Sequence, residues 1–312
     1  MRGPGLNVGK QAFVDEWARS YSYNPYRNYP QITATQAARI LADAVAEAGP
    51  EVTQLWHQHG ASPAGLVRII DLPWDSEVYE QRMGRITHLC GDLSSEAILG
   101  LLADTTFKHL AVRVDASDLS TQRTLTMAGF IPADSILTYL YHPVPGGPPR
   151  PAEGRAARRY TFRSYEPADR DSILRITSYS FDRYPGRYHA DPRLRERSAE
   201  RYLRWAEKCL DGEADQICVS ESKGRVVGYL AFRFDRRLYR VLGMGCYGAG
   251  LGASRGGDYL RLLRHAVTSE RAMPWQFAEF DTQIDNFPVH RIYQALKFDY
   301  VRAQHTYHFH RS

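Results

Sequence analysis

Lysine is scarce in this chain of 312 residues. Lys10, Lys108, Lys208, Lys223 and Lys297 stand among 40 basic residues, and the rest are arginine. Arginine forks suit phosphates and carboxylates, and a net charge of +5 with a pI of about 9.0 fits an anionic partner. No dense basic cluster occurs, so charge alone does not argue for nucleic acid. Cysteine is also rare. Cys90, Cys209, Cys218 and Cys246 are scattered without metal-ligand spacing, which predicts no metal site and buried free thiols in a reducing cytoplasm. No apolar run approaches the roughly 20 residues of a bilayer-spanning helix. The start, Met1-Arg2-Gly3-Pro4-Gly5, has no apolar signal segment. The expected location is therefore cytoplasmic. With 43% apolar and 24% charged residues the composition is that of a folded protein, long enough for two cores.

The most informative stretch is Asn286-Phe287-Pro288-Val289-His290-Arg291-Ile292-Tyr293-Gln294-Ala295-Leu296-Lys297-Phe298, between the extended runs Trp275 to Ile284 and Tyr300 to Phe309. Asn286 can cap a helix and Pro288 is tolerated in a first turn. Val289, Ile292 and Leu296 form an apolar stripe, and Tyr293 lies about two turns beyond Asn286. A weaker copy precedes it. Arg113 to His142 can be laid on Asp281 to His310 without gaps, 168 positions apart, so that Asp118 falls on Asn286, Phe130 on Phe298 and Tyr139 on Tyr307. Such self-similarity predicts two related units. The first copy has Leu125 where the second has Tyr293.

Pro143-Val144-Pro145-Gly146-Gly147-Pro148-Pro149 reads as a linker. The predicted organisation is a helical extension over 1–64, a degenerate half over 65–142, a Pro/Gly-rich linker over 143–157 and the active domain over 158–312. Helices are expected near 35–48, 94–103, from 169 and over 195–210. Strands are expected near 66–70, 83–86, 110–114, 160–163, 216–220 and 225–232. This order predicts an α/β (α+β) fold with a mixed sheet covered by helices. Ahead of the Asn286 block lies Gly248-Ala249-Gly250-Leu251-Gly252-Ala253-Ser254-Arg255-Gly256-Gly257-Asp258, followed by an amphipathic helix with Tyr259, Leu262, Leu263, Ala266 and Val267 on one face. Glycines before a helix let backbone N–H groups close on a diphosphate.

The strand–Asn–helix–Tyr–Phe–strand block behind a glycine-rich helix start resembles the acyl-donor half of the GNAT superfamily of N-acetyltransferases. The resemblance implies tandem GNAT-like units, each a mixed, mostly antiparallel sheet flanked by helices, of which the C-terminal one is active. It implies acetyl-CoA or another acyl-CoA as donor. Leu251, Gly252 and Ala253 would hold the thioester arm. Ser254, Arg255, Gly256, Gly257, Asp258 and Tyr259 would hold the diphosphate, and Asn286 would contact the pantetheine. Ser254 stands where Gln or Arg is usual and Tyr259 where Gly or Ala is usual. Tyr293 would protonate the departing thiolate, since a phenol near pKa 10 matches a thiol near 8.5. Glu279 and Asp281, two apart on one strand face, are candidates for deprotonating an attacking ammonium.

A narrower resemblance, to dTDP-fucosamine acetyltransferase and its relatives, rests on Phe181 to Pro192 and on Trp74-Asp75-Ser76. It implies acceptor contacts from Arg183, Arg187, His189, Asp191 and Trp74. The expected acceptor is a primary amine on a small polar metabolite, such as a nucleotide-linked amino sugar or a specialised-metabolite intermediate. Two alternatives stand beside it. One is an amide-forming transferase of the same fold using aminoacyl-tRNA, with tRNA as partner. The other is a ligand-binding module without turnover. The oligomeric state cannot be read from the sequence.

Overall fold

Chain order and strand pairing divide the protein into two units that follow one plan. The computed structural model describes residues 6–143, 160–182, 186–254, 258–269 and 273–311. Met1–Ile136 with Arg302–Ser312 form unit 1, and Leu137–Val301 form unit 2.

Unit 1 begins with α1 (Val8–Ser20), capped by Asn7, and α2 (Ala34–Ala46). Thr33 and Gln36 make a reciprocal capping box at α2, as the Thr-x-x-Gln spacing dictates. β1 (Val52–His59) and β2 (Ser62–Asp71) form an antiparallel hairpin, so strand as well as helix occupies the stretch 1–64. Then come α3 (Pro73–Tyr79), β3 (Met83–Gly91), α4 (Ser95–Ala103), β4 (His109–Asp115), α5 (Leu119–Met127) and β5 (Ile131–Tyr141). Val67, Ile69, Ile98, Leu110, Leu125 and Phe130 are among the side chains of its core.

Unit 2 runs β6 (Thr161–Ser164), α6 (Arg170–Phe181), α7 (Arg187–Ala190), α8 (Ser198–Lys208), β7 (Gln216–Ser222), β8 (Arg225–Phe234) and α9 (Arg236–Leu242). It continues with β9 (Cys246–Ser254), α10 (Tyr259–Thr268), β10 (Phe277–Gln283), α11 (Phe287–Ala295) and β11 (Asp299–His310). Leu262, Leu263, Ala266 and Val267, the apolar face of α10, are buried in its core beside Phe232 and Phe280. The fold is mixed α/β, with mostly antiparallel sheet flanked by helices.

The repeat is structural as well as sequential. β4 and β10 start and stop 168 positions apart, and so do α5 and α11. Both helices end in the same C-terminal motif. Phe130 N donates to Leu125 O and Phe298 N to Tyr293 O, each at 2.9 Å. The residue between helix and aromatic is left-handed in both, Gly129 at φ +82 and Lys297 at φ +61. The last strands are exchanged between units. Residues 137–141 of β5 belong to unit 2, whose strand order is β5-β10-β9-β8-β7-β6, while the end of β11 belongs to unit 1, whose order is β1-β2-β3-β4-β11.

Candidate active site

β9 and β10 run parallel and pair only at Cys246↔Phe277, Tyr247↔Ala278 and Gly248↔Glu279. Beyond that β9 continues to Ser254 and β10 to Gln283 without shared register. The cause lies on the other side of β9. Its pairing with β8 slips between Leu230 and Phe232, and such a bulge bends a strand away from its neighbour. The peptide groups of Leu251, Gly252 and Ala253 therefore lie past the last β10 pairing, and an extended ligand arm can bond there as a strand would.

Gly228 of β8 stands in register with Ser220 on β7 and Ser254 on β9. A Cβ at position 228 would come within 2.8 Å of Ser220 Oγ and 2.9 Å of Ser254 Oγ, so glycine is required for this approach. Both hydroxyls are buried, and among the described residues neither has a hydrogen-bond partner. Ser254 closes β9. Arg255, Gly256 and Gly257 lie outside the described residues. Asp258 then opens α10 without a side-chain cap bond, its carboxylate 3.8 Å from Arg261 Nη1. The first N–H groups of α10 therefore receive no cap from Asp258.

Tyr293 is 2% exposed. Its ring stacks on Phe298 at 5.0 Å and 10°, with Tyr139 at 5.0 Å and Phe280 at 5.8 Å. Its hydroxyl is hydrogen-bonded to that of half-buried Tyr259. Burial raises the Tyr259 phenol to about 12, and the bond from Tyr293 holds it from rising further. The residue standing in the place of the usual small one thus couples to the phenol expected to carry the proton.

Asn286 begins α11 but makes no side-chain cap bond, contrary to the capping role expected of it. Its Nδ2 donates to Thr282 Oγ1 at 2.9 Å instead, tying the helix start to β10. Asp281 is exposed and accepts from Thr138 Oγ1 at 2.7 Å, while Glu279 is half-buried two residues earlier. The segment after α6 is knitted to itself. His189 meets Ser198 Oγ through Nδ1 at 2.8 Å and the Phe181 carbonyl through Nε2 at 2.9 Å. Asp191 is 3% exposed and accepts from Arg193 N. Arg187 donates to the Tyr188 hydroxyl. Arg183 lies outside the described residues. Trp74 is half-buried on α3 of unit 1.

The sequence reading missed Tyr139 and His290. His290 Nε2 faces the carbonyls of Gln283 and Ile284 at 3.0 and 3.1 Å, so it carries the proton. Nδ1 then accepts from the Tyr139 hydroxyl at 3.0 Å. This chain fixes the end of β10 beside Tyr293. The i+4 spacing of His290 from Asn286 was a usable signal, whereas nothing local announced Tyr139.

The four cysteines are free and buried. Burial pushes the Cys209 thiol up to about 11 and the Cys90 and Cys246 thiols upward as well, so none of these three is an activated nucleophile.

Unit 1 has its own parted pair. β3 and β4 are parallel only from Met83↔His109 to Ile86↔Val112. Beyond this lies a cavity of about 90 Å³ whose lining includes Trp17, Tyr21, Tyr23, His88, Arg113 and Asp115. The helix start there is closed: Ser94 Oγ accepts from Ala97 N. Hydrogen bonds from its own backbone N–H and from Ser94 and Ser95 hold the Glu96 carboxyl below its ordinary range.

Neither a protein-family model nor a curated protein matches the sequence. Solved structures do match the fold. A GCN5-related N-acetyltransferase from Sphaerobacter thermophilus is similar at TM-score 0.58 and 15% identity, over 97% of this chain and 91% of that one. A tandem GNAT protein from the clavulanic acid biosynthesis pathway is similar at TM-score 0.52 and 13% identity, over 98% and 97%. A conserved protein of unknown function from Staphylococcus epidermidis is similar at 0.50 and 10%, over 83% and 94%. Two parted parallel strands, each followed by a helix and repeated in one chain, together with these likenesses, give the conclusion that the chain has the fold of the GNAT N-acetyltransferases in its tandem form.

Proposed function

We propose that the protein is an N-acyltransferase whose unit 2 moves an acyl group, most simply acetyl from acetyl-CoA, to the primary amine of a small polar metabolite. The observation that carries this reading is the parting of β9 and β10 after Gly248↔Glu279, followed by a helix start that Asp258 does not cap and a hydrogen-bonded phenol pair at Tyr259 and Tyr293. Two features support this donor. The α10 N-terminus favours an anion, and the Ser254 hydroxyl is a buried polar group awaiting a partner. Leu251, Gly252 and Ala253 would hold the arm, and Ser254 to Tyr259 the diphosphate, with Asn286 beside them. When bound, the thioester supplies an activated carbonyl and a thiolate leaving group.

The remaining steps belong to the chain. Asp281, oriented by Thr138, or Glu279 would take the proton of the acceptor ammonium, directly or through water. Tyr293 would supply a proton to the departing sulfur. Because its hydroxyl is bonded to Tyr259, the two phenols would act as one donor, Tyr259 returning a proton to Tyr293 after the transfer. Burial keeps Tyr259 protonated at neutral pH. Arg187 and Arg183, with His189 and Asp191 shaping the turn, would contact the acceptor, and Trp74 remains a candidate for the same role. A nucleotide-linked amino sugar is the favoured acceptor class. Aligning donor and amine would supply much of the rate, since orientation alone is worth about 7–11 kcal/mol.

The deciding experiment offers purified protein acetyl-CoA and charged tRNA separately with a panel of amines. Acyl transfer from CoA with saturable donor binding is expected. Product from charged tRNA alone would replace the donor, and donor binding without turnover on any amine would make the protein a binding module.

A further inference from the structure

Unit 1 holds a feature the acyl-transfer reading does not use. His109 opens β4, and His308 and His310 lie near the end of β11. His308 and His310 are two apart on one strand, so both project from the same sheet face. β11 pairs antiparallel with β4, and His310 is the register partner of His109, which puts the third imidazole on that face too. The ring centroids of His109 lie 4.6 Å from those of His308 and 4.8 Å from those of His310. One nitrogen from each ring lies within 4.8 Å of the others. His109 is 1% exposed and His308 is fully buried.

We propose that His109, His308 and His310 form a binding site for one borderline divalent transition ion, zinc by chemical preference, that fastens the end of β11 to β4. Three neutral imidazoles are the donor set such an ion takes, leaving a fourth position for another donor. Bonds of about 2.0–2.1 Å in a tetrahedron require nitrogens about 3.4 Å apart, and ring rotation on fixed strands can close that gap. The soft sulfur ligands that would compete are all buried elsewhere. Met83, the register partner of His109 on β3, is buried on the same face and makes its surroundings apolar, which strengthens metal–ligand attraction. The burial of His109 and His308 gives substrate little access, so the role is structural. The ion would hold in unit 1 the strand end that the chain reaches only after completing unit 2.

The test is zinc uptake by the full chain after chelator treatment, with His308→Gln and His310→Gln alongside. The wild type should retain about one zinc ion per chain and melt at higher temperature with zinc than without. Each variant should bind at least about tenfold more weakly. Circular dichroism checks that the variants are folded. If they are not, the cobalt(II) spectrum of the wild type decides. Visible bands of a tetrahedral nitrogen site, without thiolate charge transfer, support the site. No retained zinc, uptake unchanged in both folded variants, or a cobalt spectrum of the free aqueous ion would overturn it.

Discussion

The two units share a strand–helix–strand plan down to matching boundaries, yet their clefts are furnished in opposite ways. In unit 2 the strand leads to a helix start that receives no side-chain cap bond from its N-cap residue Asp258. In unit 1 the corresponding helix start is taken by the Ser94 hydroxyl and crowded by the ionised Glu96. Both starts carry a carboxylate, but Asp258 faces the Arg261 guanidinium at 3.8 Å whereas Glu96 is held by its own backbone N–H and two serine hydroxyls. The N-terminal aromatic residues Trp17, Tyr21 and Tyr23 line the unit 1 cavity, and burial raises the Tyr21 phenol further above its ordinary value, with Asp118 and Asp115 adding to the effect. At the position matching Tyr293, unit 1 has Leu125, fully buried among aliphatic and aromatic neighbours. Both units keep the geometry that folds. The chemistry proposed above belongs to unit 2, because folding needs only shape and burial at that position whereas proton transfer needs the hydroxyl.

The sharpest way to break this contrast is to alter the matched pair. Tyr293→Phe should lower turnover by about 10²-fold or more with a small change in melting temperature. Leu125→Ala should leave the unit 2 residues intact and cost about 2–5 kcal/mol in denaturant unfolding. Turnover at the wild-type level in Tyr293→Phe would remove the phenol from the proposed chemistry.

Next in size is Gly228→Ala. The added methyl meets two serine oxygens inside 3 Å, so unfolding should show a loss of about 1–3 kcal/mol. Donor binding should weaken with it, since Ser254 must move. Pairing Gly228→Ala with Ser220→Ala should recover part of the stability if that crowding is the cause.

Smaller effects separate the two helix starts. Asp118 accepts from Thr121 N at 3.1 Å, so Asp118→Ala should cost about 1 kcal/mol. Asn286→Ala should cost less in stability, because its side chain bonds Thr282 and not the helix, yet it should weaken donor binding. Equal stability losses would mean that the two residues do the same work.

The last comparison concerns the left-handed residue after each helix. Gly129→Ala should destabilise and Lys297→Gly should stabilise, each by roughly 0.5–1 kcal/mol, since left-handed backbone burdens any residue with a Cβ. Both are read by thermal unfolding.

Much of this architecture was legible in the residues. Helix α11, strand β10 and their earlier copies follow from a period of 3.6 against a period of 2 and from Pro288, because periodicity is a local property of the chain. The Pro/Gly-rich linker expected over 143–157 lies outside the described residues from 144 onward. The exchange of β5 and β11 between units depends on which sheet edge offers a partner, and no local signal encodes that. Strand β1 and helix α3 escaped for a related reason. Their residues, Val52 to His59 and Pro73 to Tyr79, carry mixed patterns that take strand or helix form from the neighbours they pack on.

The sequence by itself determined the alternation of elements, the repeat and the presence of a phenol at 293. Those are properties of spacing and side-chain chemistry. Only the tertiary structure decided that Tyr293 bonds Tyr259, that Tyr139 reaches His290, and that His109 shares a sheet face with the distant His308 and His310. Each of these depends on long-range strand pairing, and the free energy of that pairing is set by the whole sheet and not by any one segment.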